Sequence, residues 1–215
     1  MGRPTSDEVR RTYDRIAAHF ASTREYAWPE VEAFVGDAAV ETALDDGCGN
    51  GRHAELLAAH ADRVVGVDVS RGLLDEAADR AVDRGFALEL VQGDAAALPV
   101  AEARVDLAVY VATLHHLPTR AARVASLDEL SRVLAPDGRA LVSAWSTAHD
   151  RFDEDAGFDT TIDWTLPDGE TVPRFYHIYA PDEFEADLDA SALDVVESRV
   201  SSGNCYAEVR PGRKQ

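Results

Sequence analysis

The stretch TALDDGCGNGRH, residues 42–53, constrains the fold of this chain more than any other. It is a short apolar run, two acids and three alternate glycines, and the helix-forming segment RHAELLAAHA continues from it. Glycines in that setting let the backbone turn sharply and approach a ligand closely, and they leave the amides of the next helix free to face the turn. Strand, tight turn and helix make half of a βαβ unit, and the pattern repeats. RVVGVDV (63–69) reads as a second strand, and GLLDEAADRAVDRG as a helix closed by Gly85. ALELVQGD (87–94), VDLAVYVATL (105–114) and GRALVSAW (138–145) read as three more strands, with a helix over 119–134 that stops at the PDG turn. Such alternation predicts an α/β fold with a doubly wound, Rossmann-like, mostly parallel sheet. The closing LDVVESRVSSGNCYAEVRP reads as an antiparallel hairpin turning at Ser-Ser-Gly-Asn, which brings the expected strands to seven.

Two helices precede the alternation. One starts at Ser6 as N-cap, with Val9, Tyr13, Ile16 and Phe20 on one face, and the other follows Pro29. Residues 146–180 are polar, rich in Asp and Thr, and read as an inserted loop long enough to be functional. At 215 residues the chain suits one domain. It divides into an N-terminal helical segment (1–36), a ligand-binding core (37–145), the inserted substrate loop (146–180) and a C-terminal helix with its hairpin (181–215).

Charge enters next because it bears on partners. Forty acidic residues stand against 21 basic ones, giving −19, and Lys214 is the only lysine. A dense carboxylate surface keeps protein soluble in a salt-loaded cytoplasm, so the acidity reads as a halophilic habit. It does not exclude an anionic partner, because salt screens long-range repulsion and local patches then decide. Residues 1–35 carry five arginines against six acids; residues 199–215 carry Arg199, Arg210, Arg213 and Lys214 against Glu208. The two ends are therefore the least repulsive places for a polyanion. No apolar run of about 18 residues is present, so no membrane span is expected. The N-terminus lacks an apolar leader, and Cys48 and Cys205 match neither a paired metal spacing nor a disulfide framework, so we expect a cytoplasmic protein without a metal site.

The ligand is read from three acids. Asp45, Asp68 and Asp94 end adjacent strands on the edge where open α/β sheets bind ligands. A carboxylate at position 68 can accept both ribose hydroxyls, and one at position 94 can reach an adenine amino group.

LDDGCGNG, VVGVDVS, VQGDAAALP and VDLAVYVATLHHL resemble the successive motifs of the class I S-adenosylmethionine-dependent methyltransferases over about residues 40–145. The G-x-G-x-G spacing favours this cofactor over a dinucleotide. The resemblance implies that Asp45 and the loop of Gly47, Cys48, Gly49 and Gly51 lie against the methionine part. It puts Asp68 and Val69 at the ribose, Asp94 and Ala95 at the adenine, and Val111 near the sulfonium. Asp46 departs from the family, which has an aliphatic residue there.

A carboxylate acceptor of a methyl group needs no base, since it is already an anion at neutral pH, but it does need a cation to hold it. Arg serves best, because its planar fork grips a carboxylate bidentately. YDRIAAHFASTREYAWP and RFYHIY both set Arg among aromatics. Together with GCGNGR, VDVSRGLL, LHHLPTRAAR and GNCYAEVR they resemble the tRNA methyltransferases that esterify 5-carboxymethyluridine at the wobble position of the anticodon. This resemblance implies a tRNA anticodon-loop substrate and often a small zinc-binding activator subunit, which would pair with an exposed sheet edge. Tyr13, His19, Phe20, Arg24 and Trp28 would shape the acceptor side, with Arg174, Tyr176 and His177 closing over it. Arg24 or Arg174 would bind the carboxylate, and Trp28 or Tyr176 would stack on a splayed base.

His115 and His116 stand at the ligand edge, where His116 could act as general base for a protonated acceptor. His53, His60 and His149 read as surface residues, and Trp145 and Trp164 as packing. Two alternative readings are a methyltransferase for a small metabolite such as a quinone precursor, and a methyltransferase-fold subunit that binds a partner without turnover.

Overall fold

The computed structural model describes residues 3–212, so Arg213 and Lys214 lie outside the described residues. Helix α1 (Ser6–Ser22) and helix α2 (Pro29–Val35) come first. Thr5, not Ser6, is the N-cap of α1. Glu8 lies three residues after Thr5, so side chain and backbone cap each other reciprocally, which Ser6 has no partner to do.

Seven strands then build one sheet: β1 (Val40–Asp46), β2 (Ala61–Asp68), β3 (Glu89–Gln92), β4 (Val105–Val111), β5 (Leu134–Trp145), β8 (Leu193–Ser201) and β9 (Asn204–Pro211). Their spatial order is β3-β2-β1-β4-β5-β9-β8. The first five pair in parallel, and β9 runs antiparallel to both β5 and β8. Helices α3 (Arg52–Leu57), α4 (Arg71–Arg84), α5 (Arg120–Val133) and α6 (Pro181–Asp189) cover the faces. One apolar cluster, centred on Leu44, Tyr110, Val142 and Ala207, fills the space beneath α5 and α6. Another, with Phe34, Leu57, Val109 and Tyr206, fills the opposite face. The expected sheet is present, with the carboxyl ends of β1, β2 and β4 at one edge.

The segment 146–180 is not an irregular loop. It folds into a separate two-stranded antiparallel sheet, β6 (Phe158–Thr165) and β7 (Thr171–Ile178). Along β6 Thr161 and Asp163 flank Ile162, and the side chains of Ile162, Val172 and Tyr176 are buried. Only one face of the hairpin is covered, so its composition reads as polar although its period is that of a strand.

Helix α1 lies across the N-terminus of α4. A Cβ on Gly72 would stand 3.0 Å from the Ala17 Cβ and 3.3 Å from the Asp14 Cα, so the backbones meet at a glycine. Asp14 fixes that contact. Its Oδ1 accepts from the Ser70 hydroxyl (2.8 Å) and the Gly72 amide (3.0 Å), and its Oδ2 from Arg10 (2.8 Å). Asp14→Ala leaves two α4 donors without their partner and is expected to lower stability by about 2 kcal/mol. Urea unfolding measures that loss, and protection of α1 amides against hydrogen exchange should fall before that of β1 or β4.

Candidate functional site

At the carboxyl edge of the sheet lies a cavity of about 390 Å³. Its floor starts at the glycine turn. Gly47 has φ +72, and a Cβ there would fall 2.0 Å from the Thr113 Oγ1, so β1 can leave the sheet beside β4 only through a glycine. The amides of Gly47 and Cys48 donate to the Val67 carbonyl (2.8 and 3.0 Å), which ties the turn to β2. Asp68 closes the arrangement: Oδ2 accepts from the Gly49 amide and Oδ1 from the Ser70 amide. Burial raises this carboxyl to about 6 against the pull of those two amides.

Gly47, Cys48, Gly49, Asp68, Val69, Asp94, Ala95 and Val111 all line the cavity. Asp45 and Gly51 do not. Successive side chains alternate across a strand, so Asp45 turns beneath the glycine loop, where burial raises it to about 7 while the Ala54 amide and Arg52 draw it down. Gly51 packs on Ala77 instead. The acid that reaches the cavity from β1 is Asp46. It is 1% exposed, its Oδ2 has no hydrogen-bond partner, and burial next to Asp45, Asp68 and Asp94 raises it well above the ordinary carboxylate range.

The roof comes from the N-terminal segment and the hairpin. Asn50, 5% exposed, donates its amide to the carbonyls of Ala21 (3.2 Å) and Arg24 (2.8 Å), and so pins the end of α1 onto the glycine loop. The Arg24 guanidinium stacks on Phe20 and Trp164, with centroids at 4.5 and 5.4 Å. Arg174, on β7, is 7% exposed; it stacks on Trp164 (4.8 Å) and Tyr176 (5.2 Å), and its Nε has no partner. Neither arginine is paired with a carboxylate among the described residues, although both line the cavity. Burial and the Arg174 charge both lower the Arg24 guanidinium, so the two cations face one another.

Tyr13, Phe20, Trp28 and Tyr176 also line the cavity; His19 and His177 do not. The His19 Nδ1 accepts from the Trp164 indole (3.1 Å). Alternation along β7 sends Arg174 and Tyr176 inward and His177 outward, where it bridges Asp159 (2.8 Å) and Glu183 (3.0 Å). His115 and His116 do line the cavity. The His116 Nδ1 faces the Phe175 carbonyl (2.9 Å), so it carries the proton, and its Nε2 accepts from the Tyr13 hydroxyl (2.7 Å). The His115 Nδ1 accepts from the Trp145 amide (2.9 Å). Burial pushes His116 down to about 3 and His115 well below its ordinary value, so both rings are neutral with their lone pairs engaged. Neither serves as a free base.

Several site residues escape sequence reasoning. His53, expected on the surface, is 5% exposed and lines the cavity with Arg52 and Asn50. It is the second residue of the short helix α3, which turns it under Trp28. Trp145, the last residue of β5, and His149 beyond it line the cavity, while His60 is half-buried against the Ala38 carbonyl. Ala112 adopts φ +57, a conformation no alanine advertises in sequence. Asn50 had a signal, as a polar residue inside the glycine run.

The cofactor expected from the motifs fits this cavity. Asp68 spends one lone pair of each oxygen on an amide and keeps others for a diol. The Gly47 turn leaves only backbone where a side chain would clash, and Asp94 and Ala95 stand at the adjacent strand end. Among the described residues no group of three or more His, Cys, Asp or Glu could hold a metal ion.

Residues 44–142 match the family model described as a methyltransferase domain. The tRNA (carboxymethyluridine(34)-5-O)-methyltransferase of Arabidopsis thaliana is 37% identical over 64% of this chain, which spans 32% of that protein's length. A protein of Encephalitozoon cuniculi that carries the name "putative methyltransferase" is 33% identical over 80% of each chain. In a solved complex with the Haloferax volcanii Trm112 methyltransferase activator, one chain superposes with a TM-score of 0.70 at 15% identity, covering 96% of this chain and 99% of that one.

Asp46 supplies a test of the floor. Its folded pKa is raised, so the folded state keeps a proton that the unfolded chain releases, and stability is lost as pH rises above the ordinary carboxylate range near 4. Asp46→Asn removes that loss. Thermal unfolding without cofactor should show the variant melting higher than the parent at pH 8, by about 3 °C per kcal/mol relieved, with the gap closing towards pH 4.

Proposed function

We propose that this chain, which belongs to the methyltransferases, uses S-adenosylmethionine to transfer a methyl group to the carboxylate of 5-carboxymethyluridine at the wobble position of tRNA, giving the methyl ester. The observation that carries this reading is Arg174: a buried guanidinium with an unpartnered Nε, facing the cavity without a carboxylate of its own. Burying an unpaired cation costs several kcal/mol, which an incoming carboxylate offsets. Relatives named for that esterification support the choice of acceptor.

When bound, S-adenosylmethionine supplies the electrophilic methyl carbon. Asp68 would hold the ribose, Asp94 and Ala95 the adenine, and the Gly47–Gly49 turn the methionyl part. Arg174 holds the acceptor carboxylate in its fork, and the hydroxyls of Tyr13 and Tyr176 lie in its field. Fixing the acceptor oxygen in line with the methyl group is the main task, since such displacements respond chiefly to alignment. No proton has to leave a carboxylate, which matches a cavity whose His115 and His116 lone pairs are engaged. His116 acts as a positioning residue, joining Tyr13 of α1 to the Phe175 carbonyl of β7.

The same reading takes the anticodon loop as substrate and a small zinc-binding activator as partner, in a cytoplasmic, salt-adapted cell. Strands β3 and β8 are the sheet edges open to such a subunit. No helix among the described residues is long and apolar enough to cross a membrane.

Incubation of the chain with labelled cofactor and carboxymethyluridine-containing tRNA, with and without the activator, followed by mild alkali, tests the product. A carboxylate ester releases its label as methanol; label that stays on the nucleoside would sink the reading. Arg174→Lys keeps the charge but loses the fork, so kcat/KM on that tRNA should fall roughly 10- to 100-fold, with cofactor affinity within twofold of the parent.

A further inference from the structure

A third cavity arginine has no assigned role. Arg52 opens α3 and faces the cavity with its guanidinium 4.9 Å from the Trp28 ring centroid. Burial and repulsion from Arg24 lower it to about 10, and no carboxylate pairs with it among the described residues. Arg24, Arg52 and Arg174 all line the one cavity, and the Arg24 charge bears on Arg52 as the Arg174 charge bears on Arg24. The esterification brings two carboxylates, one on the acceptor and one on the methionyl part of the cofactor. Arg174 takes the first. Arg24 lies over the glycine loop, where Asn50 fixes its backbone, and suits the second. Arg52 is left over.

Its surroundings form a built site. His53 beside it is 5% exposed, lines the cavity, and has an Nε2 with no hydrogen-bond partner. Burial lowers that imidazole to about 3, so it is neutral and can donate through one nitrogen. Ser202, from the turn between β8 and β9, and Asn204, which opens β9, line the cavity with them. The Ser202 hydroxyl donates to Glu30, while Arg52 is in no ion pair among the described residues; a free cation beside a neutral donor matches a singly charged oxyanion with several acceptor oxygens.

We infer that Arg52 and His53 form a subsite for a backbone phosphodiester of the RNA, next to the nucleoside held at Arg174. This rests on the RNA reading above. A substrate seated there is fixed at two points, its base by the carboxylate and its chain by the phosphate, so the target carboxylate is aimed rather than merely bound.

The test uses the full chain and five-nucleotide single-stranded RNAs centred on 5-carboxymethyluridine. One carries natural linkages, and two others carry an uncharged methylphosphonate on the 5′ or the 3′ side of the target. Calorimetry is run in the presence of S-adenosylhomocysteine, on the parent and on Arg52→Gln. The parent should bind one methylphosphonate RNA about tenfold more weakly than the natural one. Arg52→Gln should bind all three alike, with S-adenosylhomocysteine affinity within twofold of the parent, which also certifies its fold. Its salt slope on natural RNA should drop by about 0.7. Discrimination retained in Arg52→Gln would overturn the subsite, and so would a tenfold loss of S-adenosylhomocysteine affinity, which assigns Arg52 to the cofactor. A parent that binds none of the RNAs overturns the RNA reading itself, and the subsite with it.

Discussion

Three aspartates and three arginines line one cavity, and none of the six is ion-paired with another. Asp46, Asp68 and Asp94 come from strand ends and glycine turns; Arg24, Arg52 and Arg174 come from elements laid over them. Opposite charges in a shared, partly desolvated space would normally collapse into pairs. Here packing keeps them apart. Asp68 and Asp94 are held by backbone amides, and the arginines by aromatic faces. Separation of this kind leaves each charge open to a ligand group of opposite character, and it divides the cavity into a hydrogen-bond-accepting floor and a cationic roof.

The roof stays in place because α1 and the β6–β7 hairpin are tied down at several points. Asp14 holds α1 on the start of α4, Asn50 and Arg80 hold the residues that follow α1, and Tyr13, His116 and the Phe175 carbonyl form one chain of hydrogen bonds across three elements. Those ties also set the chemistry. A histidine that orients a tyrosine and a carbonyl has no lone pair left for a substrate proton, so the same network that positions the roof removes the base.

Much of the floor was legible because it is local. The glycine spacing, the acids at strand ends and the strand–helix alternation each depend on residues within a few positions of one another, and the sheet follows from them. Legibility failed where one position or one face mattered. Asp45 and Asp46 are neighbours of the same type, and only the pleat decides which of them enters the cavity. His53 looks like one more polar residue on a short helix until Trp28 is folded over it. The hairpin at 158–178 hid behind its threonines and aspartates, since a strand pair covered on one side is half polar by construction.

By itself the sequence determined the sheet, the edge at which a ligand binds and the residue types gathered there, because backbone propensity and hydrophobic period act over short range. It also determined that arginines and aromatics flank that edge. Which arginines stay unpaired was decided only by the tertiary structure. With 40 acids to 21 basic residues, every arginine has nearly two carboxylates to choose from on paper. Arg10, Arg63, Arg80 and Arg132 find theirs. Arg24, Arg52 and Arg174 do not, because the chain folds them onto Phe20, Trp28 and Trp164, and an ion pair depends on distances of a few ångströms that only packing sets.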